Sequence, residues 1–183
     1  GRRRPRRLPR QAAPAARFEV LPVGGLRLDW VHKRLAFGRH PESDAEVEAL
    51  WHRGFRAVVD LSLGSLGMVN PGQGRFNERH IAMTSGLRYH ALPFEDGELV
   101  DPYLLGAILN RLRELIQRRE RQVFVHCSAG LSRSPFIAAV FLAFPEDIEK
   151  GYEVVMKANP GVFRQPAFDE SYQLLVQAWG MSP

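Results

Sequence analysis

Residues 123–135 read VFVHCSAGLSRSP, and this stretch decides the predicted fold. A short apolar run ends at Cys127, the only cysteine of the chain, and a five-residue loop that contains Gly130 leads to Arg133. Pro135 then opens an apolar, Ala-rich run, at a position that a first helical turn tolerates. The pattern predicts a buried strand, a tight loop and a helix.

This predicted strand-loop-helix unit has the makings of an anion site. A loop that enters a helix N-terminus directs several backbone N–H groups at one point and adds the positive end of the helix dipole. An oxyanion bound there would meet Cys127 at the start of the loop and the guanidinium of Arg133 at its end. Such surroundings lower the pKa of a thiol in general, and a thiolate can attack phosphorus. The alternative is a buried structural cysteine beside a surface arginine.

The segment from His126 to Ser134, HCSAGLSRS, resembles the signature of the cysteine-dependent protein phosphatases, in which His-Cys is followed by five residues, Arg, and Ser or Thr. Its Leu-Ser-Arg-Ser end is similar to the small, atypical dual-specificity branch of that superfamily. Rhodanese-like and low-molecular-weight phosphatase folds use a similar spacing. The flanking elements must therefore distinguish these folds.

The resemblance implies hydrolysis of a phosphoric monoester through a phosphocysteine intermediate, with neither a metal nor another cofactor. It implies that Cys127 is the nucleophile and that Arg133 clamps the phosphate. Ser134 would help the thiolate to leave in the second step, and His126 would orient the loop and tune the cysteine. The implied phosphate-binding cradle consists of the backbone N–H groups of Ser128, Ala129, Gly130, Leu131, Ser132 and Arg133.

An acidic turn, PFEDGELVDP at residues 93–102, lies between a predicted strand and a predicted helix. Transfer of a phosphoryl group to a thiolate leaves an oxyanion on the substrate, which a carboxylic acid is suited to protonate. Asp96 precedes Cys127 by 31 residues, a separation close to that of the mobile acid loop in the resembling family. Asp96 is thus the predicted general acid, with Glu95 and Glu98 as fallback acids. The alternative is that Asp96 only solvates the turn.

Strand and helix patterns alternate along the rest of the chain, which predicts a single α/β domain with a central sheet flanked by helices. The resemblance implies a twisted, mixed sheet of four or five strands, the protein tyrosine phosphatase-like fold, over residues 26–180. The predicted strands are residues 26–31, 34–37, 55–61 and 87–92, and the strand that leads into the cysteine. The predicted helices are residues 43–52, 77–85, 102–119, 136–144, 146–158 and 168–179.

Residues 1–17 account for the positive net charge of the chain. They contain seven of the 25 Lys and Arg residues and no acid, so the remainder carries 18 basic and 20 acidic residues. Their Pro, Ala and Arg content predicts a disordered tail before a catalytic domain at residues 18–183. The tail could be a solvated extension, a targeting peptide, or a tether to an anionic partner, either nucleic acid or a membrane surface.

Hydrophobic runs, cysteine and histidine content and a glycine-rich loop further restrict the possible functions. No apolar run approaches the ~18 residues of a membrane-spanning helix, and a single cysteine cannot form an internal disulfide. The glycine-rich loop at residues 62–75 is predicted to be functional or disordered. The predicted location is cytoplasmic, or an organelle if residues 1–17 belong to a targeting peptide. No metal site is predicted, because five histidines are scattered without ligand spacing: His32, His40, His52, His80 and His90.

The leading hypothesis is a phosphatase of phosphotyrosine, with phosphoserine and phosphothreonine as the further substrates of a dual-specificity enzyme. Its predicted partner is a phosphorylated protein or peptide, and no stable partner is evident. The chain is short for the larger tyrosine-specific phosphatases and lacks their Trp-Pro-Asp loop, and its signature lacks the lysine frequent in phosphoinositide branches. A rival hypothesis is a same-fold phosphatase of RNA 5′-phosphates or a phospholipid head group, with the Arg-rich tail as tether. A phosphate-binding module without activity is the non-enzymatic rival.

Overall fold

The computed structural model describes residues 16–63, 77–118 and 121–180. Its strands are β1 (Arg17–Val20), β2 (Arg27–His32), β3 (Leu35–Arg39), β4 (Phe55–Asp60), β5 (Arg88–Ala91) and β6 (Gln122–Cys127). Its helices are α1 (Asp44–Arg53), α2 (Glu78–Ser85), α3 (Pro102–Gln117), α4 (Arg133–Ala143), α5 (Ile148–Ala158) and α6 (Pro166–Leu175), followed by a π-helical turn at Val176–Gly180.

The six strands form one mixed sheet in the order β1-β2-β3-β6-β4-β5. β1, β2 and β3 are antiparallel neighbours, whereas β3, β6, β4 and β5 run parallel. The predicted α/β architecture with a mixed central sheet and flanking helices is confirmed. The predicted strand count of four or five is wrong, because the sheet also contains β1.

The sequence does not predict β1 because its four residues, RFEV, lack a buried face. Phe18 and Val20 are both exposed, so no alternation of buried and exposed residues marks the strand. Ala16 packs against the core and Arg17 begins β1, so the folded part extends two residues into the predicted tail. The rest of that tail, and residues 64–76 of the predicted glycine-rich loop, lie outside the described residues.

The start of α3 agrees with the prediction, whereas α4 starts earlier than predicted. Asp101 caps α3 as predicted, because its carboxylate accepts from the N–H of Tyr103 at 2.7 Å, and Pro102 opens the helix. α4 begins at Arg133 rather than at residue 136, since the loop after β6 turns directly into the helix. Pro135 therefore lies inside the first turn, where its missing N–H costs no helical hydrogen bond.

The two faces of the sheet bury two separate hydrophobic cores. Alternate residues of a strand point to opposite faces, so Val123, Val125 and Cys127 of β6 join the core under α3 to α6. Phe124 instead joins the core under α1 and α2. His126 shares this second face with Phe124, and their rings lie 5.8 Å apart. The sheet thus separates Cys127 from the side chain of the histidine that precedes it.

The parallel strands β3, β6 and β4 have their carboxyl ends side by side. In the ladder Arg39 of β3 pairs with Cys127, and Asp60 of β4 pairs with His126. α4 starts next to these carboxyl ends. It packs closely on α5, because Gly151 of α5 has no side chain to hold the two helices apart. A Cβ on Gly151 would lie 2.1 Å from the carbonyl oxygen of Ala139. Among the described residues, every helix is too short or too polar to span a bilayer.

Candidate active site

The loop at residues 128–132 is fixed to the domain from two sides. The N–H of His40, just after β3, donates to the carbonyl of Ser128 at 3.1 Å. The N–H of Phe163, in the segment after α5, donates to the carbonyl of Leu131 at 2.7 Å. Both loop carbonyls thus point outward to these anchors, and the loop curves around the end of β6, where the buried thiol of Cys127 lies.

Gly130 is the residue that lets this loop approach β3. Its φ of +76° lies in the left-handed region, which side chains other than glycine rarely adopt. A Cβ there would lie 2.4 Å from the backbone nitrogen of Arg39 and 2.5 Å from the carbonyl carbon of Gly38. Both the conformation and the close approach therefore require glycine.

The N-terminus of α4 faces this loop without a capping side chain. Ser132 occupies the N-cap position but makes no side-chain cap hydrogen bond, because its hydroxyl donates to Asp96 instead. The first N–H groups of a helix have no intrahelical partner. An anion in the loop can therefore accept hydrogen bonds from them and is stabilised by the helix dipole.

Arg133 is a buried cation that lacks a carboxylate partner among the described residues. It is 9% exposed, and its Nη1 donates to the carbonyls of Leu61 at 3.4 Å and Phe94 at 3.3 Å. Its Nη2 donates to the hydroxyl of Ser128 at 3.1 Å. Its Nε has no hydrogen-bond partner among the residues that the structure describes. Neutral carbonyls orient the guanidinium without neutralising it, so the site is suited to an incoming dianion.

Ser134 lies beside the thiol. Its Oγ is 3.4 Å from the Sγ of Cys127 and 3.2 Å from the carbonyl oxygen of Gly38, to which it donates. A hydroxyl has one proton. The hydroxyl of Ser134 can therefore donate to the carbonyl of Gly38 while the sulfur is uncharged, and it can rotate to donate to the sulfur when a thiolate forms.

Asp96 lies at the rim of the loop, between β5 and α3. Its Oδ1 accepts from the hydroxyl of Ser132 at 2.6 Å. Phe94 anchors the segment, because its N–H donates to the carbonyl of Leu61 at 3.3 Å and its ring packs edge-on against Phe168 at 5.7 Å. The structure thus brings the predicted acid to the same loop as the predicted nucleophile.

The two fallback acids interact with each other rather than with the loop. A hydrogen bond with Glu95 and the charge of Glu95 raise the pKa of Glu98. Both side chains are exposed. Of the three acids in this turn, Asp96 is the one with a described hydrogen bond to the signature loop.

His126 lies on the opposite face of β6 within a buried polar cluster. Its Nδ1 faces the carbonyl of Cys127 at 3.1 Å, and its Nε2 faces Oε1 of Glu78, on α2, at 2.5 Å. Asp60 lies 3.7 Å from Nδ1 and also accepts from the hydroxyl of Tyr89. Burial alone would lower the pKa of His126, but the charges of Glu78 and Asp60 raise it to about 9.

Three side chains of this cluster, Asp60, Glu78 and His126, are potential metal ligands whose donor atoms lie within 4.8 Å of one another. Each donor already has a hydrogen-bond partner: Asp60 accepts from the N–H and hydroxyl of Ser62 at 2.9 and 2.6 Å, and both nitrogens of His126 are engaged. A metal would have to displace these bonds and the imidazole proton. The geometry therefore favours a proton-binding cluster.

Sequence reasoning did not find the role of Glu78. It lies 48 residues before His126, and no local motif marks such a distant pair. Asp60, at the end of β4, accepts hydrogen bonds from Ser62. The contact between Leu131 and Phe163 was not predicted either. The alternation of side chains along β6 was a signal that could have placed His126 on the face of the sheet opposite the thiol.

The fold is similar to those of solved protein tyrosine phosphatases. Tk-PTP in its active form is 22% identical over 82% of this chain and 96% of its own, with a TM-score of 0.68. Kinase associated phosphatase, with its catalytic cysteine replaced by serine, is 16% identical over 94% and 99%, with a TM-score of 0.70. PTPMT1 in complex with PI(5)P is 18% identical over 81% and 93%, with a TM-score of 0.67.

These likenesses establish that the chain has the protein tyrosine phosphatase-like fold. At the level of sequence, no protein family and no curated protein matches the chain.

Proposed function

We propose that this protein is a phosphoric monoester hydrolase, a protein tyrosine or dual-specificity phosphatase that acts through a phosphocysteine on Cys127. One observation carries the proposal: the thiol of Cys127, the guanidinium of Arg133 and the carboxylate of Asp96 all lie at one loop at the N-terminus of α4. The fold shared with known phosphatases supports it.

In the first step, the thiolate of Cys127 attacks phosphorus and forms the S–P bond while the bond from phosphorus to the leaving oxygen breaks. Arg133 and the N–H groups of residues 128–133 bind the three remaining phosphoryl oxygens and stabilise their charge in the transition state. The protonated carboxyl of Asp96 transfers its proton to the leaving oxygen, which departs as an alcohol or phenol.

In the second step, water attacks phosphorus of the phosphocysteine and the S–P bond breaks. The carboxylate of Asp96 takes a proton from the attacking water, so the acid is restored and inorganic phosphate is released. The hydroxyl of Ser134, 3.4 Å from the sulfur, donates to the thiolate that leaves. The chain returns to its starting protonation state without a co-reactant other than water.

Two exposed apolar side chains, one on the signature loop and one next to it, support an aromatic phosphoester as substrate. Leu131 is 40% exposed and Phe163 is 61% exposed, and a backbone hydrogen bond of 2.7 Å holds the two residues together beside the loop. Large exposed apolar side chains next to a polar site offer a surface to a planar ring. Phosphotyrosine presents such a ring, whereas phosphoserine does not.

A second candidate substrate is the phosphorylated head group of a phospholipid. The observation that favours it is the shared fold with PTPMT1, which was solved in complex with PI(5)P. The signature loop of residues 128–132, SAGLS, has no lysine to contact additional phosphates. Tyrosine phosphate is therefore the substrate that the described residues favour.

A matched substrate panel tests the proposal. Phosphate release is measured from a phosphotyrosine peptide, the same peptide with phosphoserine, PI(5)P in mixed micelles, and an RNA 5′-phosphate. The wild type should act fastest on the phosphotyrosine peptide, and Cys127→Ser should lose turnover of every substrate. Glu48→Gln, an exposed change on α1, is the control and should match the wild type. Faster release from PI(5)P or RNA would overturn the substrate class, and full turnover by Cys127→Ser would overturn the mechanism.

A further inference from the structure

We propose that Glu78 is a positioning residue that, through its hydrogen bond to His126, keeps the imidazole protonated behind the signature loop and thereby favours the thiolate of Cys127. This inference rests on the proposed function, because it concerns the same nucleophile. It assigns a task to α2, which packs on the face of the sheet opposite the thiol.

The placement of the pair follows from the sheet. β6 directs Cys127 to one face and His126 to the other, where α2 covers the sheet. The side chain of His126 is fully buried and that of Glu78 is 12% exposed, and their hydrogen bond measures 2.5 Å. Burial of a carboxylate next to an imidazole is costly unless the two are paired. The pair is therefore a specific arrangement within the second core.

The hydrogen bonds themselves indicate where the protons are. A carbonyl oxygen can only accept, so Nδ1 of His126 must carry a proton to bond the carbonyl of Cys127 at 3.1 Å. An ionised Glu78 can also only accept, so Nε2 must carry a second proton. With both nitrogens protonated the ring is an imidazolium. The alternative is a protonated Glu78 that donates to Nε2. Burial, which raises the pKa of Glu78, favours that neutral pair, whereas the charge of His126 acts in the opposite direction.

The surrounding charges favour the imidazolium. Asp60 adds a second carboxylate 3.7 Å from Nδ1, and the pKa of His126 is raised to about 9. The titratable groups that face the cluster are Glu78 from α2, Asp60 from β4, Tyr89 from β5 through its bond to Asp60, and His40 after β3, whose charge acts on Glu78.

The orientation of the pair links it to the nucleophile. Nδ1 points to the backbone of Cys127, whereas Glu78 lies beyond Nε2 on the far side of the ring. The imidazolium is therefore the member of the pair that lies next to the backbone of Cys127, with the carboxylate of Asp60 3.7 Å from its Nδ1. A nearby positive charge favours the thiolate over the thiol. Replacing Glu78 by glutamine keeps the shape and lets the amide donate to Nε2, so that the ring becomes neutral with its proton on Nδ1.

The experiment measures the rate of alkylation of Cys127 by iodoacetamide against pH, in the full chain. Cys127 is the only cysteine, so the signal comes from one site and needs no substrate. Glu78→Gln should move the midpoint to higher pH by about one unit. It should therefore lower kcat/KM by up to about tenfold at pH values below the wild-type midpoint, and by much less above the shifted midpoint. Glu48→Gln, an exposed glutamate of α1, is the matched control and should leave the midpoint in place.

A double-mutant cycle with His126→Asn separates this role from a merely structural one. If Glu78 acts through the histidine, Glu78→Gln should cause no further shift in the His126→Asn background. An unchanged midpoint in Glu78→Gln, or one at lower pH, overturns the inference. If the wild type releases no phosphate but Glu78→Gln still shifts the midpoint, the proposed function is wrong and the inference about Glu78 is supported.

A measurement on the wild type covers the case in which Glu78→Gln does not fold. Nitrogen-15 NMR of a histidine-labelled chain reports the protonation of each ring nitrogen. The resonances of His126, assigned by comparison with the His126→Asn variant, should show an imidazolium at pH 7.5. A neutral ring at that pH contradicts the inference. If His126→Asn also fails to fold, the wild type should still show one histidine that remains charged above pH 8.

Discussion

Arg133 is the residue whose surroundings say most about the ligand. Its guanidinium is buried, is oriented by the carbonyls of Leu61 and Phe94, and has a free Nε. Arginine binds an oxyanion with two parallel N–H groups, whereas lysine provides a single ammonium. The position therefore calls for arginine specifically, and a change to lysine separates ligand binding from stability.

Arg133→Lys is expected to lower the rate of phosphotyrosine hydrolysis by about 10²- to 10³-fold, because the bidentate contact to the transition state is lost. The thermal unfolding midpoint should change little, since an ammonium can still donate to the two carbonyls. Steady-state kinetics and calorimetry check the two expectations together. A large loss of stability with a modest loss of rate would instead make Arg133 a structural residue.

Asp96 is the proposed general acid. An acid matters more when the leaving group binds its proton strongly, and a tyrosine phenol has a pKa near ~10. Asp96→Asn should therefore slow hydrolysis of a phosphotyrosine peptide by about 10²-fold and that of a nitrophenyl phosphate only mildly. It should also flatten the alkaline limb of the pH–rate profile, where the protonated acid is lost.

The matched control for this prediction is Glu95→Gln, an adjacent exposed carboxylate. It should keep the alkaline limb and the wild-type rates. If Glu95→Gln loses the limb and Asp96→Asn keeps it, the acid is assigned to the wrong residue. If both variants keep it, water supplies the proton.

At the scale of elements, the site depends on loops and helices that meet the carboxyl ends of parallel strands. The signature loop is held by β3 through His40 and by the segment after α5 through Phe163. On the other face, α2 is joined to β6 by the pair of Glu78 and His126. This second contact is ionic and buried, so it makes the attachment of α2 depend on pH.

We expect the free energy of unfolding to decrease as pH rises from about 6.5 to 9. The pKa of His126 is raised to about 9 in the folded chain, above the ~6.5 of an unfolded histidine. Its contribution is thus fully present below pH 6.5 and is lost as pH rises through 9, by at most ~3 kcal/mol. Urea unfolding at several pH values checks this, and His126→Asn should show a smaller decrease. An equal decrease in both proteins would contradict the assignment.

At the scale of the whole molecule, the charge is unevenly distributed between the N-terminal segment and the domain. Residues 1–17 carry seven arginines and the remainder has two more acidic than basic residues. Since Arg17 begins β1, a deletion that spares the fold must stop at residue 15. We propose that the segment attracts an anionic partner and plays no part in the chemistry.

Deletion of residues 1–15 should leave hydrolysis of a small aryl phosphate unchanged. It should weaken binding to anionic vesicles or RNA. The affinity of the full chain should fall more steeply with added salt than that of the shortened chain, because several arginine charges contribute to it. Binding is measured at 50 and 200 mM salt for both chains. A loss of activity on the small substrate would show that the segment belongs to the catalytic unit.

The sequence was sufficient for features that depend on local patterns. The strand, loop and helix around Cys127, the cap at Asp101 and the sheet with flanking helices all follow from periodicity and short motifs. β1 could not be predicted, because its apolar residues are exposed. Glu78 could not be predicted either, since its task arises only when α2 packs on β6. The fold brings Arg133 and Asp96 to one loop, and their roles stay predictions.

The central claim is that the phosphoryl group passes through Cys127. The most direct test mixes a phosphotyrosine peptide with Ser134→Ala, in which the second step should be slow, then quenches with acid and analyses the protein by mass spectrometry. We expect one phosphoryl group per chain, attached to Cys127, and none in Cys127→Ser. An unlabelled Ser134→Ala chain, together with undiminished turnover by Cys127→Ser, would contradict it.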